Sequence, residues 1–193
     1  MSIELIKQLR DETGVSLNEC KKAIQEADGD LEKAKDILKK KGQDIAAKKA
    51  GREAGEGRIS SYIHDNQKVG VLLDLRCESD FVAKSDDFKN LSKEITLQIA
   101  AMGPQFVKEE DISQQDLEKE RDFHFQKAIE DGKPEEVAKK ISDGKVQSFA
   151  KDYCLLLQPW IKDNKKTIEE LIQEYVAKIG ENIVVARFTR YEL

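Results

Sequence analysis

The chain has 193 residues, 39% apolar and 37% charged, which suits one or two folded domains with a heavily solvated surface. Its net charge of −5 argues against general nucleic-acid binding, which needs a basic surface to neutralise phosphates. No apolar run approaches the roughly 18–20 residues of a membrane span.

The start, Met1-Ser2-Ile3-Glu4, has no basic region leading into an apolar one, so no signal peptide is expected. Cys20, Cys77 and Cys154 are isolated and odd in number, which fits buried thiols in a reducing compartment. The expected location is cytoplasmic.

Taken in order, Ser2 is placed to cap a first helix with Ile3, Leu5, Ile6 and Leu9 as apolar positions, ended by Gly14. Ser16 and Glu19 form a capping box, each satisfying an otherwise orphaned amide of the other's backbone. The helix they start places Leu17, Cys20, Ile24 and Ala27 on one stripe. A third helix begins at Asp30 and carries Leu31, Ala34, Ile37 and Leu38. These helices predict a compact bundle over residues 1–40, with Val15 and Leu17 near its surface. A basic linker over 41–57 follows, partly helical, broken by Gly51, Gly55 and Gly57. Its lysines read either as a phosphate contact or as a solvated hinge; no aromatic residues are interleaved for base stacking.

Residues 58–193 form the expected α+β core. Arg58 to His64 alternates, Asp65-Asn66 turns the chain, and Lys68 to Cys77 alternates again, with Val69, Val71, Leu73, Leu75 and Cys77 on one face. Period-two alternation predicts a hairpin with that face buried. The strand ends in Glu78-Ser79-Asp80-Phe81-Val82-Ala83-Lys84, where an acid and an aromatic ring stand side by side. They are either a tool presented by a rigid strand or a helix cap and a core anchor.

Ser85 is placed to cap a long helix with the stripe Phe88, Leu91, Ile95, Ile99 and Met102, ended by Gly103-Pro104. Ser113 and Asp116 start a helix through Leu117, His124, Ala128 and Ile129 to Gly132. Pro134 opens another, with Val137 and Ile141 expected inward and Gly144 as an interruption. Cys154 to Trp160 reads as an apolar packing segment. Thr167 and Glu170 form a second capping box before a helix with Ile168, Leu171, Ile172, Tyr175 and Ile179. The last strand runs from Asn182 to Arg190, and its half Ile183-Val184-Val185-Ala186 predicts cover on both faces.

Catalytic patterns are missing. His64 and His124 have no second ligand at helical or turn spacing, and no phosphate-binding loop, dinucleotide fingerprint or nucleophile elbow is readable. Cys20 and Cys77 fall on buried faces, which makes them poor nucleophiles. No cofactor or metal is expected, and binding rather than bond-making is the expected mode of action.

Three stretches resemble the bacterial elongation factor Ts family, guanine-nucleotide exchange factors of elongation factor Tu. The first is Leu9-Arg10-Asp11-Glu12-Thr13-Gly14 with Cys20-Lys21-Lys22-Ala23. The second is Cys77 to Lys84, where the family usually has Thr-Asp-Phe-Val-Ala and Ser79 keeps the hydroxyl. The third is Lys178-Ile179-Gly180-Glu181-Asn182-Ile183 with Arg187. The segment around Gln158-Pro159 is similar to the family's short form. The resemblance implies a three-helix bundle of ubiquitin-associated type followed by a core with a small antiparallel sheet covered by helices.

The resemblance further implies binding to elongation factor Tu, GDP-bound or nucleotide-free. Asp80 and Phe81, completed by Val82 and Ala83, would disturb its Mg²⁺ and phosphate region. Val15 and Leu17 would dock the bundle, together with Asn18, which stands where relatives often have Met. A homodimer through the sheets is also implied. One short-form relative carries a disulfide-forming Cys where Thr189 stands, so the likeness there extends to the dimer and not to the covalent link. Other readings of the residues are a helical adaptor, an RNA-binding accessory protein using the linker lysines, and, as the least supported, a hydrolase.

Overall fold

The computed structural model describes residues 3–193, so the cap expected from Ser2 lies outside the described residues. The chain is α+β, with eight α-helices among the described residues and a small antiparallel sheet. It divides into two compact units.

The first unit takes in the chain to Ser60 with Leu73–Glu94 and Glu170–Ala186. Helices α1 (Ile3–Thr13), α2 (Leu17–Glu26) and α3 (Leu31–Lys49) pack around Ile6, Leu9, Cys20, Ala23, Ile24, Ala27, Ala34 and Leu38. Ser16 caps α2, its Oγ accepting from the Glu19 amide, but the Glu19 carboxylate accepts from Lys22 Nζ, so only half of the capping box forms; Asp30 caps α3, accepting from the Lys33 amide. The basic stretch continues α3 as helix as far as Lys49. Its lysines suit that end, because cations offset the partial negative charge of a helix C-terminus.

Strand β1 (Glu56–Ile63) turns through Asp65-Asn66 into β2 (Val69–Cys77), closed by a hydrogen bond from the His64 amide to the Val69 carbonyl. On its other side β2 pairs with β5 (Ile183–Glu192), and the order is β1-β2-β5. Gly57 sits at φ 152°, and a Cβ there would lie 2.3 Å from the Leu75 carbonyl oxygen; the hairpin closes only because that atom is missing. Val71, Leu73, Leu75 and Cys77 are buried, as the alternation predicted. On β5, Ile183 and Val185 are buried while Val184 and Ala186 are exposed, so a single chain covers one face of this segment, not two. The short α4 (Asp80–Lys84) follows β2, then α5 (Asp86–Met102), whose Phe88, Leu91, Ile95 and Ile99 are fully buried; Met102 is exposed.

The second unit consists of Ser61–Leu72, Ile95–Glu169 and Arg187–Leu193. Its hairpin pairs α6 (Gln114–Glu130) with α7 (Glu135–Tyr153). Gly144 does not interrupt α7, and the inward positions are Ala138 and Ser142 rather than Val137 and Ile141, which are exposed. Small side chains let two helices approach closely, so the larger residues are displaced to the rim. At its base Ile112, Ala150 and Cys154 pack with Phe106, Leu117, Phe149 and Leu157. A two-stranded ribbon of β3 (Pro159–Trp160) and β4 (Asp163–Thr167), which no sequence pattern announces, precedes α8 (Ile168–Ile179). Gln98, fully buried, holds this region: its amide nitrogen donates to Gln158 Oε1 at 3.2 Å and the Pro159 carbonyl at 3.1 Å, and its oxygen accepts from the Ile161 amide at 2.9 Å.

Candidate functional site

Helix α4 has five residues, and a step of about 100° per residue divides them into two arcs. Val82 and Ala83 face inward and are 7% and 8% exposed. Asp80, Phe81 and Lys84 take the outer arc. Phe81 is 81% exposed, an unusual state for an aromatic ring on a well-seated element. Phe81 is therefore not a core anchor. Nor is Asp80 the helix cap, because Ser79 caps α4, its Oγ accepting from the Val82 amide at 3.4 Å. The Asp80 carboxylate instead pairs with Lys84 Nζ at 2.7 Å, and that hydrogen bond and charge hold its carboxyl below the ordinary range.

The loop before α4 is tied down by the turn after α8. Glu181 accepts from the Glu78 amide at 3.1 Å and the Ser79 amide at 3.0 Å through one oxygen, and from Ser79 Oγ at 2.6 Å through the other. Glu78 in turn accepts from the Asn182 amide at 2.7 Å and pairs with Arg52 at 3.5 Å. That amide, and next the Arg52 charge, lower the Glu78 pKa. Asn182 Nδ2 donates to the Arg52 carbonyl at 2.8 Å and the Ala50 carbonyl at 3.4 Å. Behind the loop Cys77 is fully buried, and burial pushes its thiol up to about 11. It is a packing residue.

In the bundle, Leu17 is 47% exposed and Asn18 is exposed, while Val15 is half-buried against the bundle core. Lys178 lies against Gly14 in the turn between α1 and α2, and its Nζ also pairs with Asp87 at the start of α5 at 2.6 Å. Sequence reasoning singled out the stretch Lys178 to Ile183 but not what it does. Glu181 and Asn182 act on residues about a hundred and a hundred and thirty positions away, and no local pattern carries that pairing.

A shallow open depression of 520 Å³ beside Asp80 is lined by Glu56, Gly57, Arg58, Ala83, Lys84 and Lys89 as well. Among the described residues no group of three or more His, Cys, Asp or Glu could hold a metal ion, and no helix is long and apolar enough to cross a membrane. What remains is a ring and an acid on a short, buttressed helix.

A family profile described as Elongation factor TS matches residues 3–193. The chain is 52% identical to an elongation factor Ts of Coprothermobacter proteolyticus over 193 residues, covering all of this chain and 98% of that one. It is 49% identical to one from Thermoanaerobacter sp. (strain X514), covering 100% and 94% of the two chains. A third, from Fervidobacterium nodosum, is 49% identical with 100% and 98% covered.

The chain belongs to the elongation factor Ts family. Of the residues that resemble the elongation factor Ts motifs, the fold brings the second and third stretches together, through Glu181 and Ser79. It also sets the first beside the third, through Lys178 and Gly14.

Proposed function

We propose that the chain is a guanine-nucleotide exchange factor for elongation factor Tu, acting in the cytoplasm during translation elongation. The observation that carries this reading is Phe81, an exposed ring on a helix seated by Val82 and Ala83 and clamped at its start. Burial of the ring in the partner supplies about 1.5–3 kcal/mol, enough to displace a helix that holds Mg²⁺ ligands. The Asp80 carboxylate beside it opposes the nucleotide phosphates and competes for the polar groups around the metal. Leu17, with Val15 and Asn18 beside it, docks the bundle on the same partner.

No bond is made or broken, so the protein is not an enzyme in the ordinary sense. Coupling is reciprocal: the factor by which this chain weakens GDP binding is the factor by which GDP weakens binding of this chain. The complex with GDP-bound partner is therefore short-lived, and the nucleotide-free complex persists until GTP enters. No direct nucleic-acid contact is needed. Lys39 pairs with Glu170, Lys41 with Glu26, Arg52 with Glu78, and Lys49 bonds the Gly180 carbonyl, so several linker cations are engaged inside the chain. The test is release of labelled GDP from loaded elongation factor Tu. Release that is no faster with this protein than without it removes the reading.

A homodimer through the sheet is part of the proposal. Val184 at 41% and Ile59 at 61% exposure leave apolar strand surface open, and a second copy is the partner that covers it. Sedimentation at micromolar concentration tests this, with a monomer for Val184→Asp and a dimer for the parent chain as the expected result.

A further inference from the structure

The acid after α8 is absorbed by no step of the proposed exchange, yet it makes three bonds to the residues that launch α4. We propose that Glu181 is a positioning residue for nucleotide exchange: by holding Glu78 and Ser79 it fixes the angle at which α4 offers Phe81 to the partner. This rests on the exchange reading above.

The chemistry of the contact suits the role. A carboxylate is acceptor-only, and here both oxygens are used, one by two successive backbone amides and the other by the Ser79 hydroxyl at 2.6 Å. Such charge-assisted bonds are roughly twice as strong as neutral ones and hold a narrow geometry. Ser79 is also the cap of α4, so the same hydroxyl that gives its proton to Glu181 accepts from Val82, and the acid reaches the helix through one atom.

The base of the clamp is itself fixed. Gly180 takes φ 88°, and its carbonyl accepts from Lys49. The Asn182 side chain holds the Ala50 and Arg52 carbonyls, and its amide donates to Glu78. Lys178, on the last turn of α8, is tied to Asp87. A clamp on a mobile base would transmit nothing; this one is held from three directions. Val82 and Ala83 stop α4 from lifting, but apolar contact is non-directional and does not by itself set the angle of the helix. The directional bonds of Glu181 supply what burial cannot.

The experiment measures GDP release from elongation factor Tu across a range of factor concentrations, for the parent chain, Glu181→Ala, Glu181→Gln, Phe81→Ala and the double variant Glu181→Ala/Phe81→Ala. Expected is a fall of about tenfold in maximal release for Glu181→Ala. Glu181→Gln, which keeps the volume and one acceptor, falls less. The half-saturating concentration changes less than the maximal rate, because the bundle contact is retained. In the Phe81→Ala background the Glu181→Ala change has little further effect, since a residue that acts only through the ring has nothing left to position. Equal maximal rates for the parent and both Glu181 variants overturn the proposal. So does a full, additive loss in the double variant, which marks general destabilisation. An inactive parent chain is a separate result: it removes the exchange reading, and this proposal with it.

Discussion

Replacing Phe81 by Ala separates docking from folding in one position. The ring is 81% exposed in the free chain, so truncating it removes little buried area. Stability is expected to stay within about 0.5 kcal/mol of the parent, as for surface changes in general. In the proposed complex the same ring would pass from water into the partner, a gain of about 1.5–3 kcal/mol. At about 1.4 kcal/mol for each factor of ten, its loss slows stimulated GDP release by roughly 10- to 150-fold. Stopped-flow release of labelled GDP reads this directly. If the ring engages only as the Mg²⁺ site opens, the maximal rate falls; if it is already fully bound in the encounter complex, the half-saturating concentration rises instead. A folded Phe81→Ala variant that accelerates release as the parent does would refute the reasoning. Destabilisation by more than about 2 kcal/mol would refute it differently, by showing the ring to be part of the core.

Other changes have equally definite outcomes. Gly57→Ala places a Cβ 2.3 Å from the Leu75 carbonyl oxygen at positive φ, so a stability loss on the order of 2 kcal/mol or more is expected in chemical denaturation. Lys84→Ala releases the Asp80 carboxylate, whose titration by NMR should move up toward 3.8. Because the folded-state value is depressed, the stabilisation from that pair is present above 3.8 and is lost as pH falls through the lower folded value. Cys77 and Cys154, both buried with thiols pushed up to about 11, should react with a thiol reagent at neutral pH only on unfolding. Ala138→Leu overfills the α6–α7 contact and should lower stability by about 1–3 kcal/mol in thermal melts.

Much of the fold is legible because helix and strand periods are local. The stripe Phe88-Leu91-Ile95-Ile99 and the alternation through Leu73, Leu75 and Cys77 each fall within one element, and all these residues are buried. The caps Ser16, Asp30 and Ser113 are likewise decided within four residues. Reading failed where packing against another element decides. On α7 the apolar residues Val137 and Ile141 are expected inward, but close approach of α6 selects Ala138 and Ser142. Gly144 carries a helix-breaking tendency of only about 1 kcal/mol, which nineteen residues of packed helix override. The ribbon β3–β4 has mostly polar residues in β4, so no apolar alternation announces it.

At the site the division is the same. The sequence by itself determined that an acid and a ring stand in a turn after a buried strand, and that Leu17 lies near the bundle surface; the cap it offered was Asp80, where the structure uses Ser79. Only the tertiary structure decided that Phe81 faces water while Val82 and Ala83 do not, and that Glu181 grips the loop from the far end of α8. Exposure and long-range hydrogen bonds depend on which surfaces the rest of the chain leaves open. That is a property of the packed molecule, not of any window of residues.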